Sequence, residues 1–115
     1  MIQAGRVVLL RIPQTDQAPG KLRPALVIRK LPGPYDDWLI CMISSQLLQH
    51  IPGFDEIIKK EDADFGQSGL KTSSVIRISR LAVVEKSTLL GSIGSISDER
   101  LNIIKNRLSN WIKNA

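Results

Sequence analysis

Lys21-Leu22-Arg23-Pro24-Ala25-Leu26-Val27-Ile28 is a short apolar run that begins with two cations, and a second apolar run, Leu39 to Ile43, ends in Ser44-Ser45-Gln46. Both runs are too short and too rich in β-branched residues for helices, so the sequence predicts two strands. Pro24 has no N–H and suits the start of a strand or a sheet edge. If the two strands are neighbours, Arg23 and Ser44 lie at one rim of a sheet, where a guanidinium and a hydroxyl can together bind a phosphodiester.

The composition is that of a small basic protein. The chain has 115 residues, 43% of them hydrophobic, which predicts one globular domain over residues 1–115. Its 16 lysines and arginines against 11 aspartates and glutamates give a net charge of +5, which favours a polyanionic or acidic partner. Aromatic residues make up only 4% of the chain, which argues against nucleic-acid binding by stacked aromatic side chains.

Several kinds of site are disfavoured by the sequence. One cysteine and one histidine cannot make an intramolecular disulfide or a structural zinc site, and Cys41 is expected to be a small buried hydrophobe. The acidic run Glu61 to Asp64 is expected to be a solvated loop rather than a magnesium site. No phosphate-binding loop or nucleophile-elbow motif is present, so we expect neither a metal nor a cofactor. The lack of a signal peptide and of an apolar stretch near about 18 residues predicts a cytoplasmic protein.

The chain as a whole is predicted to be mainly β with a C-terminal helix. Strands are predicted at 5–12, 22–30, 38–46, 54–58 and 73–84, polar connections at 13–20 and 59–68, and a helix at 97–115 with Ser97 as its N-cap. The helix has an apolar stripe for core or partner contacts, formed by Leu101, Ile104, Leu108, Trp111 and Ile112. Its basic face is expected to be solvated and consists of Arg100, Lys105, Arg107 and Lys113. Short strands without βαβ alternation indicate an antiparallel sheet that closes into a small barrel.

The order of motifs resembles the MazF/PemK family of toxins. Residues 21–28 resemble the family signature KRPALVI, and residues 5–9 resemble its opening strand GDVVLV. Further along, residues 43–46 resemble the strand end ITxQ, residues 69–77 resemble GLKxxSVVR, and residues 84–94 resemble VEKxxLxxxIG. These matches cover nearly the whole chain in the same order, which makes them more specific together than any one of them alone.

The resemblance implies an SH3-like barrel and a sequence-selective, metal-independent endoribonuclease. On this basis Arg23 is expected to clamp the scissile phosphate and Ser44 to bind a non-bridging oxygen or the ribose 2′-OH. Such an enzyme would use the 2′-OH as nucleophile and would leave a 2′,3′-cyclic phosphate and a 5′-OH. It would depend on charge stabilisation and positioning, because arginine, with a pKa above about 12, is an indifferent proton donor.

The resemblance also implies a set of RNA-binding residues. These are Gln14, Thr15, Lys21, Ser45, Gln46, Arg77 and Ser79. Ser44 replaces a frequent threonine, and Ser79 stands where some family members have a proposed aspartate base, so a carboxylate base at position 79 is missing. Arg6 stands where an acidic residue is common. Residues 14–16 lie in the loop where base selection is thought to be made.

Partners and rival functions follow from the same resemblance. A homodimer is expected, with single-stranded RNA in a groove between the subunits and a cognate antitoxin over that groove. An acidic, partly disordered antitoxin segment would match the charge of +5. Two alternatives remain at this point: a non-enzymatic gyrase poison of the CcdB type on the same barrel, and a catalytically lapsed barrel that only binds RNA or antitoxin.

Overall fold

The structure is a computed structural model that describes residues 2–12 and 20–114, with the backbone alone for Ile12. The elements in chain order are β1 (Arg6–Ile12), β2 (Lys21–Lys30), β3 (Asp37–Ser44), β4 (Glu56–Ile58), α1 (Phe65–Ser68), β5 (Ser74–Glu85), β6 (Leu89–Ser95) and α2 (Asp98–Lys113). Short 3₁₀ turns follow β3 at Leu47–Gln49 and β5 at Lys86–Thr88. The five predicted strands and the predicted helix are confirmed, whereas β6 and α1 were not predicted.

In the part of the chain described, the strands form one antiparallel sheet in the order β4-β5-β3-β2-β1-β6. This confirms the predicted class, a mainly antiparallel β fold with a C-terminal helix. The sheet is open, however, because β4 and β6 stand at the two ends of this order. The short helix α1 contacts β6 instead: a Cβ on Gly94 would clash with the backbone of Gln67 and Ser68. A helical turn therefore lies against the edge where a strand pair would close a barrel.

The sheet has two apolar faces, because successive residues of a strand point to opposite sides. The helix face packs against Leu101, Ile104 and Leu108 of α2, and its buried strand residues include Val7, Leu26, Ile28, Cys41, Ile43, Ile76 and Ile78. The other side, which we call the open face, is lined by Val8, Leu10, Ala25, Val27 and Ile40. Cys41 is fully buried, as predicted, and burial, together with the nearby charge of Asp55, raises the pKa of its thiol.

The C-terminal helix begins as predicted. The Ser97 hydroxyl accepts a hydrogen bond from the N–H of Arg100 at 3.1 Å, and Asp98 and Glu99 occupy the first turn, where negative charge is favourable. The predicted apolar stripe divides into two parts. Its first three residues are buried in the core, whereas Trp111 and Ile112 are 58% and 61% exposed. The end of α2 therefore presents an apolar surface.

The predictions of a solvated acidic loop and a solvated basic helix face were wrong for Asp64 and for Arg100. Asp64 is only 5% exposed, and its carboxylate receives the Arg100 guanidinium at 2.8 and 3.0 Å. Arg100 also pairs with Glu56 at 3.0 Å and with Asp62 at 2.9 Å. The physical reason is that one guanidinium has five N–H donors and can bind three carboxylates, one from β4 and two from the loop that follows it.

The residues that the structure describes contain no helix long and apolar enough to cross a membrane. Among these residues there is also no group of three or more His, Cys, Asp or Glu side chains that could hold a metal ion.

Candidate functional site

Arg23 and Ser44 lie at one rim of the sheet on neighbouring strands. The register of β2 and β3 pairs Val27 with Ile40 and Ala25 with Met42, and two further steps in the same register place Arg23 opposite Ser44. Directly opposed residues of an antiparallel pair have Cβ atoms about 4.5–5.5 Å apart. Both positions belong to the open face, since Arg23 is two residues from Ala25 and Ser44 is two residues from Met42, which packs against the same cluster. The two residues that the sequence singled out therefore stand at the same end of neighbouring strands, just beyond the last ladder pair, Ala25 with Met42.

The hydroxyl of Ser44 is held in place by the chain that follows it. Its oxygen accepts a hydrogen bond from the N–H of Gln46 at 3.0 Å, which ends β3 at Ser44 rather than at Gln46 as predicted. A serine hydroxyl carries one proton and two lone pairs. Among the described hydrogen bonds no acceptor takes the Ser44 proton, so the oriented hydroxyl can donate to a ligand.

Arg77 contributes a second guanidinium to the same face. It stands opposite Met42 on the far side of β3, while Val75 stands opposite Ser44. Arg77 and Ser44 are thus diagonal neighbours, with Cβ atoms about 7–8 Å apart, within reach of a long side chain. The Nε of Arg77 is buried and has no hydrogen-bond partner within the described residues. A buried N–H without an acceptor costs about 1–3 kcal/mol, and the described residues do not offset this cost.

The other predicted RNA-binding residues of this rim are exposed. Lys21 opens β2 opposite Ile12 of β1, and Ser45 and Gln46 directly follow the Ser44 end of β3. All three flank the Arg23–Ser44 pair. Gln14 and Thr15 lie outside the described residues.

Ser79 has a different environment from the rim. Its N–H and its hydroxyl both donate to the carboxylate of Asp55, at 3.0 and 3.1 Å. It lines an apolar cavity of about 640 Å³ together with Ile51, Phe54, Ile78, Leu81 and Trp111. RNA binding by Ser79 stays a prediction, since its hydroxyl proton is already bonded. The structure does show a carboxylate beside position 79, and it is the side chain of Asp55.

Asp55 is the residue that sequence reasoning missed. It is only 1% exposed, and besides Ser79 its carboxylate accepts the N–H of Ile51 at 3.1 Å. No local pattern marks it, because Ser79 is 24 residues away. The neighbouring His50 and Pro52 indicate only a loop, and the one available signal is an aspartate directly before a predicted strand.

The charge distribution favours an anion at the rim. The ion pairs within the described residues join Arg100 and Arg107 to Glu56, Asp62 and Asp64. These carboxylates belong to β4 and the loop that follows it, and none of them pairs with Arg23 or Arg77. Hydrogen bonds from Arg100 are the main cause that lowers the pKa of Asp64 to about 2. Among the described residues no carboxylate forms an ion pair with the arginines of the rim, and unpaired positive charge attracts polyanions.

Arg6, which stands where the family commonly has an acidic residue, lies away from the rim. It lies in β1 opposite Ser95 of β6, and its buried Nε has no hydrogen-bond partner among the described residues. Because it stands at the opposite end of β1 from Ile12, the neighbour of Lys21, it does not belong to the rim of Arg23 and Ser44.

The comparisons with known proteins concern the family and the fold of the chain. The sequence pattern of one family, described as PemK-like, MazF-like toxin of type II toxin–antitoxin system, matches residues 3–112. The fold is similar to that of an endoribonuclease in complex with its cognate antitoxin from a mycobacterial species, with a TM-score of 0.68, 13% identity, and coverage of 98% of this chain and 96% of the other. The comparison with curated proteins found no match.

Two further solved structures have the same fold. The toxin MazF-mt6 of Mycobacterium tuberculosis has a TM-score of 0.68 at 14% identity, with 94% of this chain and 96% of that chain covered. The MazE–MazF structure from Deinococcus radiodurans has a TM-score of 0.66 at 17% identity, with 96% and 94% covered. At these identities the structural likeness concerns the fold, and the family match rests on the sequence pattern.

Proposed function

Since this chain belongs to the PemK-like, MazF-like family of toxins of type II toxin–antitoxin systems, we propose that it is a metal-independent endoribonuclease that cleaves single-stranded RNA, chiefly mRNA, at selected sequences. The observation that carries the proposal is the register of β2 and β3, which pairs Ala25 with Met42 and, continued by two residues on each strand, supports placing Arg23 near Ser44. The unpartnered Nε of Arg77 on the same face supports it. Two guanidiniums and one hydroxyl then surround a position that fits one phosphodiester group.

The proposed reaction is an internal transesterification. The ribose 2′-oxygen attacks phosphorus, the bond from phosphorus to the 5′-oxygen breaks, and the products are a 2′,3′-cyclic phosphate and a 5′-OH. One proton leaves the 2′-oxygen and one arrives at the 5′-oxygen, so water is not consumed. Arg23 and Arg77 bind the non-bridging oxygens and stabilise the extra negative charge of the phosphorane. Ser44 donates to a non-bridging oxygen or orients the 2′-OH.

The proposal extends to partners and location. We expect a homodimer and a cognate antitoxin with an acidic, partly disordered segment, in the cytoplasm. Two solved relatives of the same fold are complexes with antitoxins, and the charge of +5 attracts an acidic segment. The exposed apolar residues Leu48, Trp111 and Ile112 supply surface for either partner.

Cleavage of a long single-stranded RNA in EDTA, followed by mapping of the new ends, tests the proposal. The wild type should give discrete cuts with 5′-OH ends. Arg23→Ala should lower the cleavage rate by about 10²–10³-fold, the usual effect of removing one transition-state donor. Arg29→Ala is the matched control and should cleave like the wild type, because Arg29 is an exposed arginine near the other end of the same strand.

Two results would contradict the proposal. RNA left intact by the wild type would favour a gyrase poison or a barrel that only binds RNA or antitoxin. Full activity of Arg23→Ala would show that the phosphate is held elsewhere.

A further inference from the structure

Strand β5 contains a bulge directly after Arg77. The register with β3 pairs Leu81 with Cys41 and then Arg77 with Met42, so residues 78, 79 and 80 have no counterparts on β3. If the Leu81–Cys41 register continued without the bulge, Arg80 would face Met42 and Ser79 would face Ile43. The bulge therefore decides that Arg77, and not Arg80, stands beside Ser44 on the open face.

The carboxylate of Asp55 holds the middle residue of this bulge. Its two oxygens accept the N–H and the hydroxyl of Ser79, and one of them also accepts the N–H of Ile51. Bulged residues lack partners in the strand ladder, and a buried N–H without an acceptor is costly. Asp55 supplies the missing acceptor and thereby stabilises one conformation of the bulge.

Asp55 is itself fixed from the other side. Its carbonyl oxygen accepts a hydrogen bond from Arg107 of α2 at 2.9 Å, and the same Arg107 nitrogen binds Glu56 at 2.9 Å. The side chain of His50 lies 3.1 Å from the same carbonyl oxygen. The described ion pairs include none to the Asp55 carboxylate. Burying a carboxylate without a paired cation costs free energy. A position that only filled space would not need a carboxylate.

We infer that Asp55 is a positioning residue for the phosphate contact of Arg77: it locks the bulge at Ser79 and thereby sets the register that brings Arg77 beside Ser44. The inference rests on the proposed function, because it assigns a consequence for RNA binding. Asp55 does not touch RNA in this arrangement. Its effect reaches the site through the backbone of residues 77–79.

Binding of a single-stranded 2′-O-methyl RNA of mixed sequence tests the inference, because this probe cannot undergo attack by its 2′-oxygen. The quantity to measure is the slope of log K against log salt, whose magnitude falls by about 0.7 for each phosphate of a single strand that the protein no longer neutralises. Arg77→Ala and Asp55→Asn should each reduce the slope by about 0.7, and the double variant should have the slope of Arg77→Ala alone. A general loosening of the fold would not give this dependence on Arg77.

A second variant controls for the change in net charge that Asp55→Asn introduces. Asp55→Asn removes a negative charge, and this alone would strengthen binding to a polyanion, whereas poorer positioning of Arg77 weakens it. Glu61→Gln makes the same charge change at an exposed residue and should keep the wild-type slope. Ser79→Ala removes only the hydroxyl bond to Asp55, so it should fold even if Asp55→Asn does not, and it should give a smaller decrease in affinity.

The outcomes separate the two proposals. Wild-type slopes for Asp55→Asn and Ser79→Ala, or a decrease that persists in full after Arg77→Ala, would overturn the positioning role and leave the proposed function intact. A wild-type protein that neither binds the probe at low salt nor cleaves RNA would overturn both. A decrease that disappears in the Arg77→Ala background supports the inference.

Discussion

The hydroxyl of Ser44 has two tasks that substitutions can separate. It accepts the N–H of Gln46, and in the proposed reaction it donates its proton to RNA. Ser44→Ala removes both and should lower kcat/KM by about 10- to 10²-fold, the factor that corresponds to about 1.5–3 kcal/mol for a hydrogen bond to a charged group. Ser44→Thr keeps the acceptor and the proton and adds a methyl that restricts the rotamer, so its kcat/KM should equal or exceed the wild-type value. Steady-state cleavage of one mapped site measures both, and an inactive threonine variant would contradict this role.

Sequence reasoning reached Arg23 and Ser44 because each stands at the end of a strand that the apolar pattern defines. The expectation that they share one rim of the sheet required only that β2 and β3 be neighbouring strands, and they are. Asp55 could not be found this way. Its importance depends on a bulge in β5, and a bulge depends on tertiary contacts rather than on any property of the residues 78–80 themselves.

At the scale of elements, the contact of α1 with β6 makes Gly94 a sensitive position. A Cβ at Gly94 would lie 2.5 and 2.6 Å from the backbone carbon and oxygen of Ser68. Gly94→Ala must therefore separate α1 from β6, and such overpacking costs about 1–3 kcal/mol of unfolding free energy. Urea unfolding measures it.

Gly66→Ala is the control in the same helix. An added Cβ there meets nothing within 4 Å, and alanine restricts the unfolded chain, so the free energy of unfolding should be unchanged or rise by about 0.4–1 kcal/mol. Equal stability of Gly94→Ala and Gly66→Ala would show that α1 does not pack on β6 in solution.

The two elements that sequence reasoning missed are this same pair. Strand β6 reads Leu-Leu-Gly-Ser-Ile-Gly-Ser and most of its residues are exposed or half-buried, so it has neither the apolar alternation nor the β-branched density of a typical strand. Helix α1 has four residues, which is too short for a periodic pattern. Both depend on each other for packing, and such mutual dependence is invisible in a local window.

At the scale of the whole molecule, the ion pairs of Arg100 with Glu56, Asp62 and Asp64 predict a loss of stability in acid. The pKa of Asp64 is lowered from 3.8 to about 2, so the folded state binds its proton less readily than the unfolded chain. Its contribution is present above about pH 4 and is lost as the pH falls toward 2. The loss should be about 2 kcal/mol.

Urea unfolding of the wild type and of Asp64→Asn from about pH 6 to about pH 2 checks this. The wild type should be more stable by a constant amount above about pH 5, and the difference should shrink toward the acid end. A difference for Asp64→Asn that stays constant over the whole range would contradict the role of the ion pair.

The strand that carries Arg77 has a further consequence for how the molecule behaves at high concentration. Within the described residues, β4 pairs with β5 only from Ser74 to Ile76 and Asp55 binds the N–H of Ser79, so beyond Ser79 the outer edge of β5 has no strand beside it. Leu81 and Val83 stand exposed along this stretch, at 40% and 58%. An uncovered edge of this length can accept an extended segment of another chain. Protein prepared without an antitoxin should therefore self-associate more strongly as its concentration rises. Whether it stays monomeric or dimeric should depend on whether another segment covers that edge.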